Sequence, residues 1–408
     1  MKLQQIYILT FIMFWLLFFP TQIVIDNSTY NGWVKNVFIL YMLFTFRNKK
    51  TKMFKGEFRW FNISIVSYCL IMILSIIMNK DTIGYYETSR LKDGEEQFFI
   101  GVVSPKATIY YSLSIIAASF FIEELVRKNQ VQVFINILYK LSILLFIWSN
   151  IDAFSHTVVD NKIGGYLLGN KFHVCYYNLF VCALYGLKHP TLTMKEKYLL
   201  LTLIVITFAA SIHTQCSTMI VGSVIFAATL FFSPKSLRNK LSSGSFIIAL
   251  IIVADLGFFF FTTWILQFAI VQDFIVNVLH EDLTLTGRLM IFENIMEAFN
   301  NNIWFGYGYG NSNLISVYYM CGENPQNGLI EVFLNIGIVG CLTFFMVIYN
   351  ACKFVRIDHY YKYPTLVYLF TMIVISTIEV PFQKIFIFVT MLLLLTLNPS
   401  TELEKHQL

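Results

Sequence analysis

Long apolar stretches follow one another along almost the whole chain, and nearly all Lys and Arg fall in the connections between them. A helix needs about 20 apolar residues to cross the hydrocarbon layer of a bilayer, and in that layer only helices and closed barrels satisfy every backbone N–H and C=O. On this measure the sequence predicts spans near 5–25, 33–46, 60–78, 107–126, 131–151, 172–187, 198–215, 217–233, 245–264, 329–353, 364–380 and 384–397. The expected fold is an all-α polytopic membrane protein with about 12 transmembrane helices. Composition excludes a soluble domain. Of 408 residues, 57% are apolar and 13% charged, against about 25% charged in soluble proteins, which leaves too little polar surface to face water all round. The 41 Phe and 23 Tyr suit lipid-facing surfaces and interfacial belts.

The first apolar run, Ile6 to Ile25, follows Met1 and Lys2 as a secretory signal would. No small-x-small cleavage site follows it and it is as long as a span, so it reads as the first helix. The net charge of +5 does not imply a nucleic-acid partner, because the basic residues lie in short clusters between spans. Those clusters set topology, since Lys and Arg near spans stay on the cytoplasmic side. One set of connections holds nineteen, at 2, 47, 49, 50, 52, 55, 59, 127, 128, 188, 195, 197, 235, 238, 240, 353, 356, 362 and 405. The other holds nine, at 35, 80, 90, 92, 106, 162, 171, 288 and 384. Both termini are therefore expected in the cytoplasm, with the protein in the cell membrane.

This orientation places the connections 79–106, 152–171 and 265–328 outside. Residues 1–264 would carry helices 1–9, 265–328 a large extracytoplasmic loop, and 329–408 helices 10–12 with a short cytoplasmic tail. Long structured loops are usually functional, and the short basic connections contain no GxxxxGK[ST] phosphate loop. Within the large loop, Leu289, Phe292, Met296 and Phe299 recur at helical spacing behind Thr286 and Gly287, with Glu293 and Glu297 opposite. They predict a short amphipathic helix, or else a helix lying on the membrane surface. After it, Phe305-Gly-Tyr-Gly-Tyr-Gly310 has glycines at alternate positions, which permit tight turns and close backbone approach to a ligand. The seven cysteines show no CxxC and no metal-ligand spacing. Only Cys216 with Cys321 both fall near the outer face, and a disulfide between them stays open.

Four segments in this region carry a resemblance: Thr286-Gly287-Arg288, Asn302-Ile-Trp-Phe-Gly-Tyr-Gly308, Asn324-Pro-Gln-Asn-Gly-Leu-Ile-Glu331 and Asn335-Ile-Gly-Ile-Val-Gly340. In this order and after about nine spans, they resemble the O-antigen ligase and polymerase superfamily, whose Wzy-type branch makes bacterial surface and capsular polysaccharides. Gly169-Asn170-Lys171-Phe172 also resembles a segment of polymerases from Gram-positive capsule and exopolysaccharide clusters. The resemblance implies a metal-independent glycosyltransferase without a cofactor, working on undecaprenyl-diphosphate-linked oligosaccharide at the outer leaflet of the lipid bilayer. A growing chain would be transferred onto a new repeat unit, with a chain-length regulator and a flippase as further partners. The family usually has His where Gln326 stands here, and Gln cannot titrate. Either another residue takes the acceptor proton, or the family His is chiefly a hydrogen-bonding positioner that Gln imitates.

Breaking a bond to diphosphate needs a fixed cation more than a general acid. Arg288 is the only Lys or Arg in the large loop and is the candidate clamp, a headgroup contact being the alternative. The acceptor hydroxyl needs a base, for which Glu331, His280, Glu281, Asp282, His213 and Glu379 are available. Glu331 lies four residues before Asn335 on one helix face just inside the membrane, where an ionisable group is costly. Gln326 joins Arg288 and Glu331 as a catalytic candidate; Asn327, Asn170, Lys171, His213 and Gly308 are candidate substrate contacts. A structural turn also explains His213, and snorkelling from a helix end also explains Lys171. Lys140 and Asp255 are read as intramembrane structural polar groups or parts of a lipid-phosphate path. Two rivals remain: a ligase of the same superfamily, and a lipid-linked oligosaccharide flippase or other transporter, although no paired broken spans are visible.

Overall fold

The computed structural model describes residues 1–18, 39, 56–80, 105–155, 165–189, 192–265, 268–273, 276–277, 288–320, 324–355 and 362–395. Over these residues the chain is helical, with no strand and one isolated bridge between Tyr166 and Gly169. In order, the helices are α1 (Leu3–Phe18), α2 (Arg59–Met78), α3 (Pro105–Arg127), α4 (Val131–Ser155), α5 (Lys171–Lys188), α6 (Met194–His213), α7 (Ser217–Phe232), α8 (Lys235–Leu241), α9 (Gly244–Ile265), α10 (Ala269–Asp273), α11 (Arg288–Asn301), α12 (Ser312–Met320), α13 (Gly328–Cys352), α14 (Tyr363–Ile375) and α15 (Lys384–Leu392).

Among the described residues, α2, α3, α4, α6 and α13 are long and apolar enough to cross a membrane, and α7 with α8, bent by 116°, makes a sixth if taken as one span. The expected span 33–46 lies outside the described residues except for Ile39. The expected spans 364–380 and 384–397 come out shorter, as α14 with 13 residues and α15 with nine. At 1.5 Å per residue, α14 is only about 20 Å long. It ends at the Ser376–Thr377 turn, and Pro381, which has no backbone N–H to donate, keeps helix from resuming before Lys384.

The outside of the bundle suits lipid. Along α4, Leu144, Ile147, Trp148 and Ile151 are exposed at i, i+3, i+4 and i+7, while Phe134, Leu138, Leu145 and Phe146 are buried. At the centre lies α5, buried at every residue from Val174 to Leu187 and packed on α4, α6 and α14. One end of the bundle is basic. There Met1 N donates to Gln130 Oε1 (3.2 Å), Phe58 stacks on Phe354, and Arg127 pairs with Glu123 (2.6 Å). The ammonium of Lys362, fully buried at this end, donates to the carbonyls of Phe354 (2.6 Å) and Leu393 (2.8 Å). Lys140 is exposed and close enough to Lys188 to feel its charge.

Helix α13 is broken at Gly337, whose φ of 65° and ψ of −169° belong to a region that essentially only glycine occupies. The break frees backbone groups that must be paired elsewhere, and the loop after α11 pairs them. Tyr307 N donates to Leu334 O (2.7 Å), Gly308 N to Asn335 O (3.0 Å), Ile338 N to Ile303 O (3.0 Å) and Val339 N to Trp304 O (3.2 Å). Ser75 Oγ donates to Asn335 O (2.9 Å), and Asn79 Nδ2 to Gly306 O (2.7 Å), so α2 is tied to the same joint.

An amphipathic helix does form as α11, but its described buried face differs from the expected one. Ile295 and Ala298 are buried, Phe299 packs on Phe333 at 4.4 Å, and Met296 is exposed. The stripe is rotated because α11 packs on a small core of its own, made by Tyr307, Leu314, Ile315, Ile330 and Leu334.

Candidate functional site

The Asn324–Glu331 segment forms the start of α13. Gln326 sits at φ 48°, in the left-handed region, and its amide donates to Asn324 Oδ1 at 2.8 Å. Asn327 is the helix cap: its Oδ1 accepts from Ile330 N (3.1 Å), while its Nδ2 reaches the carbonyls of Asp255 and Thr377, both at 3.3 Å. Gly328 N donates to Ser376 O (2.7 Å), and Ser376 Oγ donates to Asp255 Oδ1 (2.7 Å). Asp255, fully buried, also lies beside the Leu329 amide. Asp255 thus anchors the first turn of α13. Two acceptors at this turn, Asp255 Oδ2 and Gln326 Oε1, are buried without a hydrogen-bond partner. Replacing Asp255 by Ala is expected to cost roughly 1–3 kcal/mol, with Asn substantially milder because it keeps an acceptor for Ser376. Thermal unfolding of the two variants in detergent checks this.

Glu331 lies in the first turn of α13 and is partly exposed. Tyr68, Tyr111 and Tyr309 all lie within electrostatic reach of its carboxylate. The rings of Tyr111 and Tyr309 stack with centroids 4.9 Å apart, and their hydroxyls share a hydrogen bond. Burial, with Tyr111 and Tyr68 adding to it, pushes the Tyr309 phenol well above its ordinary range, so it remains a neutral hydroxyl. Lys384 Nζ lies 5.8 Å from the Tyr111 ring centroid.

Lys384 connects this group to the start of α5. Next to it, Gln383 Oε1 is 2.9 Å from His173 Nε2, and His173 feels the Lys384 charge. Asn170 caps α5 by accepting from His173 N (3.0 Å). Lys171 Nζ donates to Gln215 O (3.0 Å) in the turn after His213, and the His213 ring packs on Phe154 at 5.2 Å. Glu379, buried, lies within electrostatic reach of Tyr176 and Cys216. The Cys216 thiol shares a hydrogen bond with Cys175, while Cys321 lies outside the described residues.

Of the residues singled out in the sequence, Glu331, Gln326 and Asn327 share one turn, and Asn170, Lys171 and His213 share a second neighbourhood. The 376–384 segment runs between the two. Arg288 opens α11, but its side chain lies outside the described residues, as do His280, Glu281 and Asp282. Gly308 takes part in the α13 joint: its amide is bound to Asn335 O, and a Cβ there would come within 3.0 Å of Ile76 Cα. Asn335 does not share a ligand-facing surface with Glu331, because its Oδ1 accepts from the amides of Gly310 and Ser312, both at 3.0 Å.

Sequence reasoning missed Tyr68, Tyr111, Tyr309 and His173, and took Lys384 only as a topology signal. A faint signal existed in α3, where Thr108, Tyr111 and Ser112 put hydroxyls on one face of a membrane-length helix at i, i+3 and i+4. Comparison with known proteins finds no matching family model, no matching curated protein and no matching solved structure.

Proposed function

We propose that this chain is a polysaccharide polymerase of about 12 membrane crossings with cytoplasmic termini. It transfers a growing undecaprenyl-diphosphate-linked glycan onto a new lipid-linked repeat unit at the outer leaflet. The observation that carries the reading is a carboxylate and a cationic group that both adjoin one tyrosine pair. Glu331 lies within electrostatic reach of Tyr111 and Tyr309, Lys384 Nζ lies 5.8 Å from the Tyr111 ring centroid, and Gln383, next to Lys384, contacts His173. Transfer to a hydroxyl from a diphosphate donor needs both poles. The acceptor oxygen attacks the anomeric carbon, the bond from that carbon to the diphosphate oxygen breaks with its electron pair, and the hydroxyl proton passes to Glu331. Lys384, Lys171 and Arg288 are suited to hold the leaving diphosphate. Gln326, with its left-handed backbone and unpartnered amide oxygen, is suited to accept a hydrogen bond from a substrate hydroxyl, which makes it a positioner.

The test is surface-glycan length in a deletion strain complemented with wild type, Arg288→Ala, Lys384→Ala or Gln326→His, with membrane levels matched. Single repeat units are expected in the deletion. Polymer should fall at least about tenfold with either Ala variant, the scale of one lost charge-assisted contact, and should persist with Gln326→His. A transporter gains one specific feature, the broken helix α13. However, the backbone groups freed by that break are taken up by the 303–308 loop and do not face a substrate. Accumulation of repeat units on the cytoplasmic leaflet of the deletion strain would establish the transporter instead.

A further inference from the structure

The face of α3 that meets Glu331 holds buried hydroxyls that the transfer chemistry alone does not use. Thr108, Tyr111 and Ser112 lie at i, i+3 and i+4 on that face. Thr108 and Ser112 are fully buried; the Thr108 Oγ has no hydrogen-bond partner, while Ser112 lies against the Cys69 thiol, which donates to its carbonyl at 3.5 Å. Inside a helix, Ser and Thr usually bond back to the carbonyl four residues earlier, as Ser114 does to Tyr110 and Thr371 to Val367. An unpaired buried hydroxyl costs free energy until a ligand pairs it. Tyr111, Tyr309 and Glu331 are each partly exposed and form the open side of this region, and Tyr68 is buried behind them.

We infer that Thr108, Tyr111, Tyr309 and Glu331 form a subsite for one pyranose ring of the acceptor glycan. A pyranose presents an apolar C–H face, which a tyrosine ring can cover, and a rim of hydroxyls, which demand donors and acceptors. The region offers both: an aromatic platform in the stacked Tyr111 and Tyr309, and, one helical turn from Tyr111, the Thr108 hydroxyl, with the Glu331 carboxylate within electrostatic reach of Tyr111. A prenyl tail would leave the hydroxyls unpaired, and a diphosphate would meet the Glu331 carboxylate. In this arrangement Thr108 and Tyr111 set where the acceptor ring lies, and Glu331 receives the proton from the hydroxyl brought against it. The inference rests on the polymerase reading for the identity of the glycan, but binding can be measured separately from catalysis.

The experiment uses the full chain in nanodiscs and lipid-linked repeat units extracted from the deletion strain. Equilibrium binding of the glycolipid and its elongation kinetics are both recorded for wild type, Thr108→Val, Tyr111→Phe and Tyr111→Ala. Thr108→Val and Tyr111→Phe keep the shape of the side chain, so loss of folding does not mask the result. Thr108→Val is expected to weaken acceptor binding about threefold to tenfold and Tyr111→Ala about tenfold, with Tyr111→Phe between wild type and Tyr111→Ala. In each case KM for the acceptor should rise while kcat stays within about twofold, a pattern of uniform binding loss. If wild type elongates and these variants bind and elongate as it does, the subsite is wrong and the polymerase reading stands. Binding that depends on Thr108 and Tyr111 without elongation keeps the subsite and removes the polymerase. A wild-type protein that neither binds nor elongates the glycolipid removes both.

Discussion

Glu331→Gln is expected to lower the rate of chain elongation by about two to four orders of magnitude, the usual contribution of a positioned general base. Glutamine keeps the volume and one carbonyl oxygen but cannot accept a proton. The surroundings of Glu331 make the effect specific. Its near neighbours are tyrosine hydroxyls, of which that of Tyr309 is held neutral by burial, and a neutral phenol cannot take over as base without giving up a proton itself. Acceptor KM should rise by no more than a few-fold, because glutamine keeps a hydrogen-bonding oxygen and the Tyr111 platform and the Thr108 hydroxyl remain. Glu331→Asp, with the carboxylate withdrawn by one methylene, should fall between the two. The check is single-turnover elongation on purified lipid-linked repeat units. A Glu331→Gln rate within a few-fold of wild type would move the base elsewhere, with the buried carboxyl group of Asp255, which adjoins the start of α13, the next to replace.

The second large effect concerns folding. Gly337→Ala should destabilise the protein by roughly 2–6 kcal/mol, combining a backbone conformation that excludes a Cβ with overpacking. A Cβ at Gly337 would lie 2.3 Å from the carbonyl carbon and oxygen of Trp304. The same joint is protected from the other side, since a Cβ on Gly306, at φ 64°, would lie 2.5 Å from Leu334 O. A shift of either side of the joint would break several of the four hydrogen bonds between 303–308 and 334–339 and leave buried backbone groups unpaired. The measurement is the thermal midpoint of the detergent-solubilised protein together with its level in membranes. A Gly337→Ala protein with the wild-type midpoint would mean that α13 can straighten, and that the loop is not needed to complete it.

The two effects also separate what was legible in the sequence from what was not. Helical class and membrane character follow from periodicity and composition, which report local transfer free energy and need no partner. The position of α11 was legible from its apolar spacing, but its buried face was not, because the packing of Ile295 and Ala298 depends on residues 307, 314, 330 and 334. Likewise the alternating glycines between 306 and 310 announced close backbone approach. Their partner turned out to be the chain itself, at the break in α13.

The candidate site divides in the same way. The Asn324–Glu331 motif and the Asn170–Lys171 pair stand out as contiguous residue patterns, and the capping roles of Asn327 and Asn170 are local consequences of those patterns. That Glu331 meets Tyr68, Tyr111 and Tyr309, that Lys384 lies over Tyr111 and that His173 reaches Gln383, depends on helices distant in the sequence being packed together. A tyrosine in a membrane helix carries the same local signal whether it faces lipid, core or ligand. By itself the sequence determined which segments become helices, where charge is tolerated and which turn carries the unusual polar motif. Only the tertiary structure decided which side chains share that turn's surroundings, because side chains are brought together by helix packing across the bundle, which no local pattern encodes.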